Sequence, residues 1–208
     1  MHSISRRFAI NAGSLLVAGA LLAPLPASAL FHLWDITEVY SNADGSVQYV
    51  ELFTNTNMQD ELIDHTISSA ATAKIYTFPT DLDPDVNGNG NNSTANRHFL
   101  VATPAFASQP GAVAPDFVFE AANFLATVAD TLDFQGADTI SWGSGELPTD
   151  GVDALHEDFG GTNRRKEANS PTNFAGEVGS LPEPPALVTL IAGAAGVLGL
   201  ARQRRRSR

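Results

Sequence analysis

The amino-acid sequence predicts a mainly β protein built as an antiparallel sandwich, and three observations carry that expectation. Short β-rich runs recur through the middle of the chain, turn-forming Gly, Pro, Asn and Asp separate them, and helical periodicity is nearly absent. Many short strands punctuated in this way favour antiparallel sheets over a parallel sheet with crossover helices. No sequence period typical of a solenoid or propeller repeats.

Taken in order, residues 1–29 read as a secretory signal peptide. Arg6 and Arg7 open an apolar run, and Ala27-Ser28-Ala29 supplies small residues, Ala27 and Ala29, that fit the pocket of a signal peptidase. Ser5-Arg6-Arg7-Phe8 leaves twin-arginine and general export both open. The expected mature domain is a β-sandwich over residues 30–160. Its clearest element is a hairpin within residues 31–53, where apolar residues recur with period two. Trp34, Ile36 and Tyr40 are expected on one face of the first strand, and Val47, Tyr49 and Phe53 on one face of the second. Between them Asp44-Gly45 marks the turn, because glycine accepts a positive φ. Glu38 and Glu51 face each other on this hairpin. They read as solvated edge carboxylates in preference to a paired acid site.

Further strands are expected at residues 65–68, 74–78, 98–103, 116–119, 131–134 and 139–142, with one short helix at residues 121–129. Residues 161–181 form a polar linker or terminal strand. They hold the domain's basic cluster, Arg164-Arg165-Lys166, read as a solvated charge run, with an extracellular polysaccharide as the alternative contact.

Charge narrows the function. The whole chain has 208 residues and a formal charge of −11, but most of its arginines lie at the two ends. The part between carries five basic side chains against 22 acids, a formal charge of −17. Affinity for a phosphate backbone needs clustered Lys and Arg, so nucleic acid is excluded as a partner. The absence of cysteine removes disulfides, thiolate metal sites and thiol nucleophiles.

Among motifs with chemical meaning, Asp83-Pro84-Asp85-Val86-Asn87-Gly88 places oxygen ligands at every second residue, with glycine at the sixth position. This matches the first half of a calcium loop. With Asp81 it nominates Asp81, Asp83, Asp85 and Asn87 as a Ca2+ site, although Thr94 stands where a bidentate glutamate is required. The competing reading is an Asn/Gly-rich insertion between strands. His32, His65, His98 and His156 show no zinc spacing and read as surface or strand-end residues. Gly143-Ser144-Gly145 lacks the spacing of a nucleophile elbow. No catalytic residue is expected.

The far end runs Pro182-Glu183-Pro184-Pro185, then the uncharged residues 186–201, then Arg202, Arg204, Arg205, Arg206 and Arg208. As a helix, residues 186–201 would span roughly 24 Å at about 1.5 Å per residue, short of a hydrocarbon core of about 30 Å. Arginine snorkelling offsets part of the shortfall, and the positive-inside rule keeps the tail cytoplasmic. This tripeptide, short helix and arginine tail resemble the PEP-CTERM sorting signal of Gram-negative bacteria, here residues 182–208. The resemblance implies recognition by an exosortase, a membrane-embedded cysteine transpeptidase-like enzyme, with cleavage near Pro182, Glu183 and Pro184. It further implies an inner-membrane intermediate with its domain on the periplasmic side, then transfer to the cell surface or extracellular matrix.

Within the domain, Ile36-Thr37-Glu38-Val39-Tyr40 followed by Tyr49-Val50-Glu51-Leu52 resembles the opening hairpin of lamin-tail-type domains. That resemblance implies an immunoglobulin-like sandwich, flanked by the signal helix and the C-terminal transmembrane helix. The expected function is that of an exported, non-enzymatic surface or matrix protein. The alternatives are a secreted calcium- or glycan-binding module on an ordinary membrane anchor, or a secreted hydrolase.

Overall fold

The computed structural model describes residues 31–182 apart from 89, 91, 92 and 162. Within them the protein is mainly β, with two sheets in which antiparallel pairing predominates and one short 3-10 turn at Phe106–Ser108. The strands are β1 (Asp35–Ser41), β2 (Gln48–Thr54), β3 (Thr66–Ser69), β4 (Lys74–Thr77), β5 (Arg97–Ala102), β6 (Phe117–Val118), β7 (Asp130–Phe134), β8 (Asp138–Trp142), β9 (Asp153–Glu157) and β10 (Arg164–Ala168). A six-stranded sheet has the order β10-β9-β1-β2-β5-β6, and a four-stranded sheet the order β4-β3-β7-β8. Only β5 and β6 pair in parallel among these strands.

One apolar cluster draws on both sheets. Ile36, Val39, Val50, Leu52, Phe99, Val101 and Leu155 come from the six-stranded sheet, and Ile67, Tyr76, Leu132, Phe134, Ile140 and Trp142 from the other. Most of its aromatic rings meet edge to face, as Trp34 with Phe99 at 4.7 Å and Phe78 with Phe117 at 4.9 Å, while Phe119 and Phe124 stack. The edge-to-face geometry sets the positive ring edge against the negative face. A second cluster forms on the opposite side of the six-stranded sheet. It contains Tyr40, Val47, Tyr49, Leu100, Ala102, Phe106, Ala154 and Leu181. Both faces of that sheet are therefore covered.

A β-bulge divides the two clusters along β1. The β1–β2 register is interrupted between Ile36 and Glu38, so Thr37 is an extra residue facing a continuous partner strand. Ile36 and Val39 consequently point into the shared core, while Glu38 and Tyr40 point to the other side. The expectation that Tyr40 shares a face with Trp34 and Ile36 fails for this reason. The turn that follows is as expected from Asp44-Gly45: Gly45 has φ 71° and its N–H donates to Asn42 O. A side chain there would also collide with Asn123 Oδ1.

Residues 121–129 form no helix; they run as bends. Side chains take the backbone groups that a helix would have paired internally. Lys74 Nζ donates to Ala122 O and Asn123 O, Thr72 Oγ1 to Phe124 O, and Trp142 Nε1 to Ala126 O. Gln48, fully buried, both donates to Leu125 O and accepts from Leu125 N. Asn123 adopts φ 55°, which turns Phe124 and Leu125 inward.

Candidate functional site

The strongest concentration of buried polar groups is centred on Glu38 and Glu51, which are direct cross-strand partners on β1 and β2. They are 1% and 4% exposed. This overturns the reading of solvated edge carboxylates, because the face they occupy is covered by residues 169–181.

Every carboxylate oxygen of the pair has a partner from the chain itself. Glu38 Oε1 accepts from Tyr49 Oη in a short bond and from Ser170 N at 2.9 Å, and Glu38 Oε2 accepts from Ser170 Oγ at 3.0 Å. Glu51 Oε2 accepts from Thr172 N at 2.6 Å, and Glu51 Oε1 lies 2.7 Å from His98 Nδ1 and accepts from Thr37 Oγ1 at 3.4 Å. His156, on β9, brings Nε2 to 3.7 Å from Glu38 Oε1. Burial pushes the Glu38 carboxyl above its ordinary value and the neighbouring Glu51 charge adds to this, while His156, Tyr49 and Ser170 pull it back. Burial, reinforced by Glu38, likewise drives the Tyr49 hydroxyl well above its ordinary value.

A third carboxylate extends the pattern. Asp116, immediately before β6, accepts Leu100 N at 2.8 Å and Phe174 N at 2.9 Å on the same oxygen, Oδ2. Burial raises it to about 6 against the pull of these two amides. Residues 170, 172 and 174 thus give their backbone N–H groups in turn to carboxylates on β1, on β2 and beside β5. An extended segment presents alternate amides to the same side, so acids on β1, on β2 and just before β6 can hold one segment laid across the sheet.

The same segment closes on itself. Thr172 and Val178 form an isolated antiparallel bridge, Gly179 N donates to Pro171 O, and Ser180 N donates to Gly111 O. Asn169, 4% exposed, joins the two ends: its Oδ1 accepts Leu181 N at 2.6 Å, and its Nδ2 donates to Leu181 O at 3.1 Å and to Val152 O at 2.6 Å. Compact loops with joined ends are packed by their own side chains in this way.

The residues nominated from sequence bond to nearby backbone groups. Asp81 Oδ1 accepts Ile63 N, Asp83 Oδ1 accepts Asp85 N, and Asp85 Oδ1 accepts Gly90 N, while Asn87 Nδ2 donates to Ala175 O. Among the described residues no group of three or more His, Asp or Glu side chains is arranged to hold a metal ion. Of the histidines, His65 stacks on Phe31, whereas His98 and His156 are drawn to the glutamate pair. Ser144 is exposed in a turn.

Arg164, Arg165 and Lys166 lie on the edge strand β10 and are all engaged. Arg164 pairs with Glu157 and donates to Ser141 O, Arg165 pairs with Asp158 and Glu167, and Lys166 donates to Gly145 O. With Glu146 and Leu155 they line a cavity of about 190 Å³ between the sheet edges. A second cavity, of about 250 Å³, is lined by Lys74, Ile75, Tyr76, Glu120, Ala121 and Phe124. Neither touches Glu38 or Glu51.

Pro182 is exposed and follows the buried Leu181 directly. Glu183, Pro184, the apolar residues 186–201, the arginines from Arg202 to Arg208, and Ala27 and Ala29 lie outside the described residues. Among the described residues, no helix is long and apolar enough to cross a membrane. The glutamate pair was visible as facing acids, and the tyrosines beside it were the signal that its face is not a water-facing one. Comparison with family models, curated proteins and solved structures finds no match for this chain.

Proposed function

We propose that this protein is an exported, non-enzymatic surface or extracellular-matrix protein, delivered through its C-terminal signal by an exosortase. In this reading the signal peptide is removed by signal peptidase. The domain waits at the inner membrane on the periplasmic side, and an immunoglobulin-like sandwich is what reaches the surface. Support for that sandwich comes from two mainly antiparallel sheets sharing one apolar cluster.

The observation that carries the sorting reading is the junction at Leu181. Among the described residues, the buried Leu181 is followed directly by the exposed Pro182 that opens Pro182-Glu183-Pro184. Support for a non-enzymatic role comes from the glutamate pair, whose four oxygens are occupied by Tyr49, His98, Thr37, Ser170 and Thr172 of the same chain. An acid–base catalyst needs a reachable oxygen for its substrate.

The test is the C-terminus of the mature protein, read by mass spectrometry from cells that export it. Cleavage near residues 182–184 is expected. A mature chain still ending in Arg208 would leave an ordinary membrane anchor as the better account.

A further inference from the structure

We infer that the clasp between Asn169 and Leu181 restrains the sorting signal, so that residues 179–181 must leave the domain surface before the signal can be processed. This inference rests on the sorting reading above. Enzymes that act on peptides hold them extended over several residues on both sides of the bond they attack, through main-chain hydrogen bonds and side-chain pockets. On the N-terminal side of Pro182, those main-chain groups are already committed. Leu181 uses both its N–H and its carbonyl with Asn169, Ser180 N binds Gly111 O, and Gly179 N binds Pro171 O. The Leu181 side chain is 5% exposed, in a cluster with Tyr40, Tyr49 and Phe106.

The docking is built for close approach. A Cβ at Gly111 would collide with Ser180 O, and one at Gly179 would come within 2.7 Å of Gly111 O. Larger residues at either position would therefore hold the two backbones apart. Asn169 is itself fixed by Val152 O, which takes both its backbone and its side-chain N–H. The clasp thus ties the signal to the approach of β9, and access to the signal requires a local opening of the kind that segments with few apolar anchors undergo below the free energy of global unfolding.

Two variants of the full chain, beside the wild type, test this in cells that express the protein, with pulse-chase labelling to follow loss of the C-terminal segment. Asn169→Ala removes the clasp, and a Gly/Ser insertion of about six residues between Leu181 and Pro182 supplies free chain while leaving the clasp intact. Both are expected to speed processing by about tenfold, the effect of removing an opening cost of about 1.4 kcal/mol. Asn169→Ala added to the insertion should bring no further gain. In the purified Asn169→Ala protein the Leu181 amide should exchange with solvent faster, while amides of β2 and β5 keep their protection. If the insertion, whose domain is unaltered, is processed at the wild-type rate, the restraint is refuted. A wild-type chain that is never processed refutes the sorting reading instead.

Discussion

At the scale of single residues, the carboxylates under residues 169–181 set how stability depends on pH. Asp116 is raised to about 6 by burial. A carboxyl whose folded value exceeds its unfolded one stabilises the fold at low pH, and that contribution is lost as pH rises through the folded value. Glu38 is displaced in the same direction by burial and by Glu51. Moving from pH 7 to pH 5 should therefore stabilise the protein by about 1 kcal/mol through Asp116 alone, seen as a higher urea midpoint. Asp116→Asn keeps an oxygen for Leu100 N and for the shorter of the two Phe174 N contacts, both on Oδ2, loses the 3.2 Å contact on Oδ1, and cannot titrate. The variant should show a flatter rise, and an unchanged one would contradict the assignment. Glu38 separates charge from hydrogen bonding. Glu38→Gln retains an acceptor for Tyr49 and Ser170 N and relieves repulsion with Glu51, so at pH 7.5 it should fold at least as stably as wild type. Glu38→Ala leaves those donors buried and unmatched and should cost about 2–4 kcal/mol by denaturant titration. Equal losses in the two variants would rule out this account.

At the scale of elements, the runs rich in β-branched and aromatic residues exposed β1 and β2, although both faces of each are buried, and the Asp-Gly pair exposed their turn. The bulge at Thr37 was hidden, since one extra residue leaves composition unchanged while reversing the side on which everything after it points. β9 was hidden for a different reason, and β10 was legible only as the terminal-strand alternative for residues 161–181. Asp153–Glu157 has Leu155 as its one large apolar residue, and Arg164–Ala168 has none. β10 is an edge strand, where charge discourages pairing with another chain, so the property that suits it to its place removes its hydrophobic signature. Residues 169–181 dock mainly through amides and carboxylates, which leave no periodic trace. In the acidic segment from Asp81 to Asn87 the motif is legible, and one oxygen of each carboxylate serves the nearby backbone. Its carboxylates already accept amides from Ile63, Asp85 and Gly90. A calcium chelator should accordingly leave the melting temperature of the protein unchanged. A clear rise in that temperature with millimolar calcium would favour the metal reading.

For the whole molecule, the two sheets are unequal partners. The four-stranded sheet contributes to the shared core, whereas the six-stranded sheet supports that core on one side and the glutamate pair with its covering segment on the other. Sequence patterning finds the first arrangement readily, because apolar residues from both sheets meet there. The second arrangement joins places that are distant along the chain: Ser170 to Glu38, Thr172 to Glu51 and Phe174 to Asp116. Contacts of such sequence separation carry a large loop-closure cost and form late. The hairpin of β1 and β2 is a local structure that can assemble early, yet its two glutamates stay uncovered until residues 169–181 have arrived. The order of assembly therefore follows the order of synthesis on this face, with one of the first elements made left open to await the last described part of the domain.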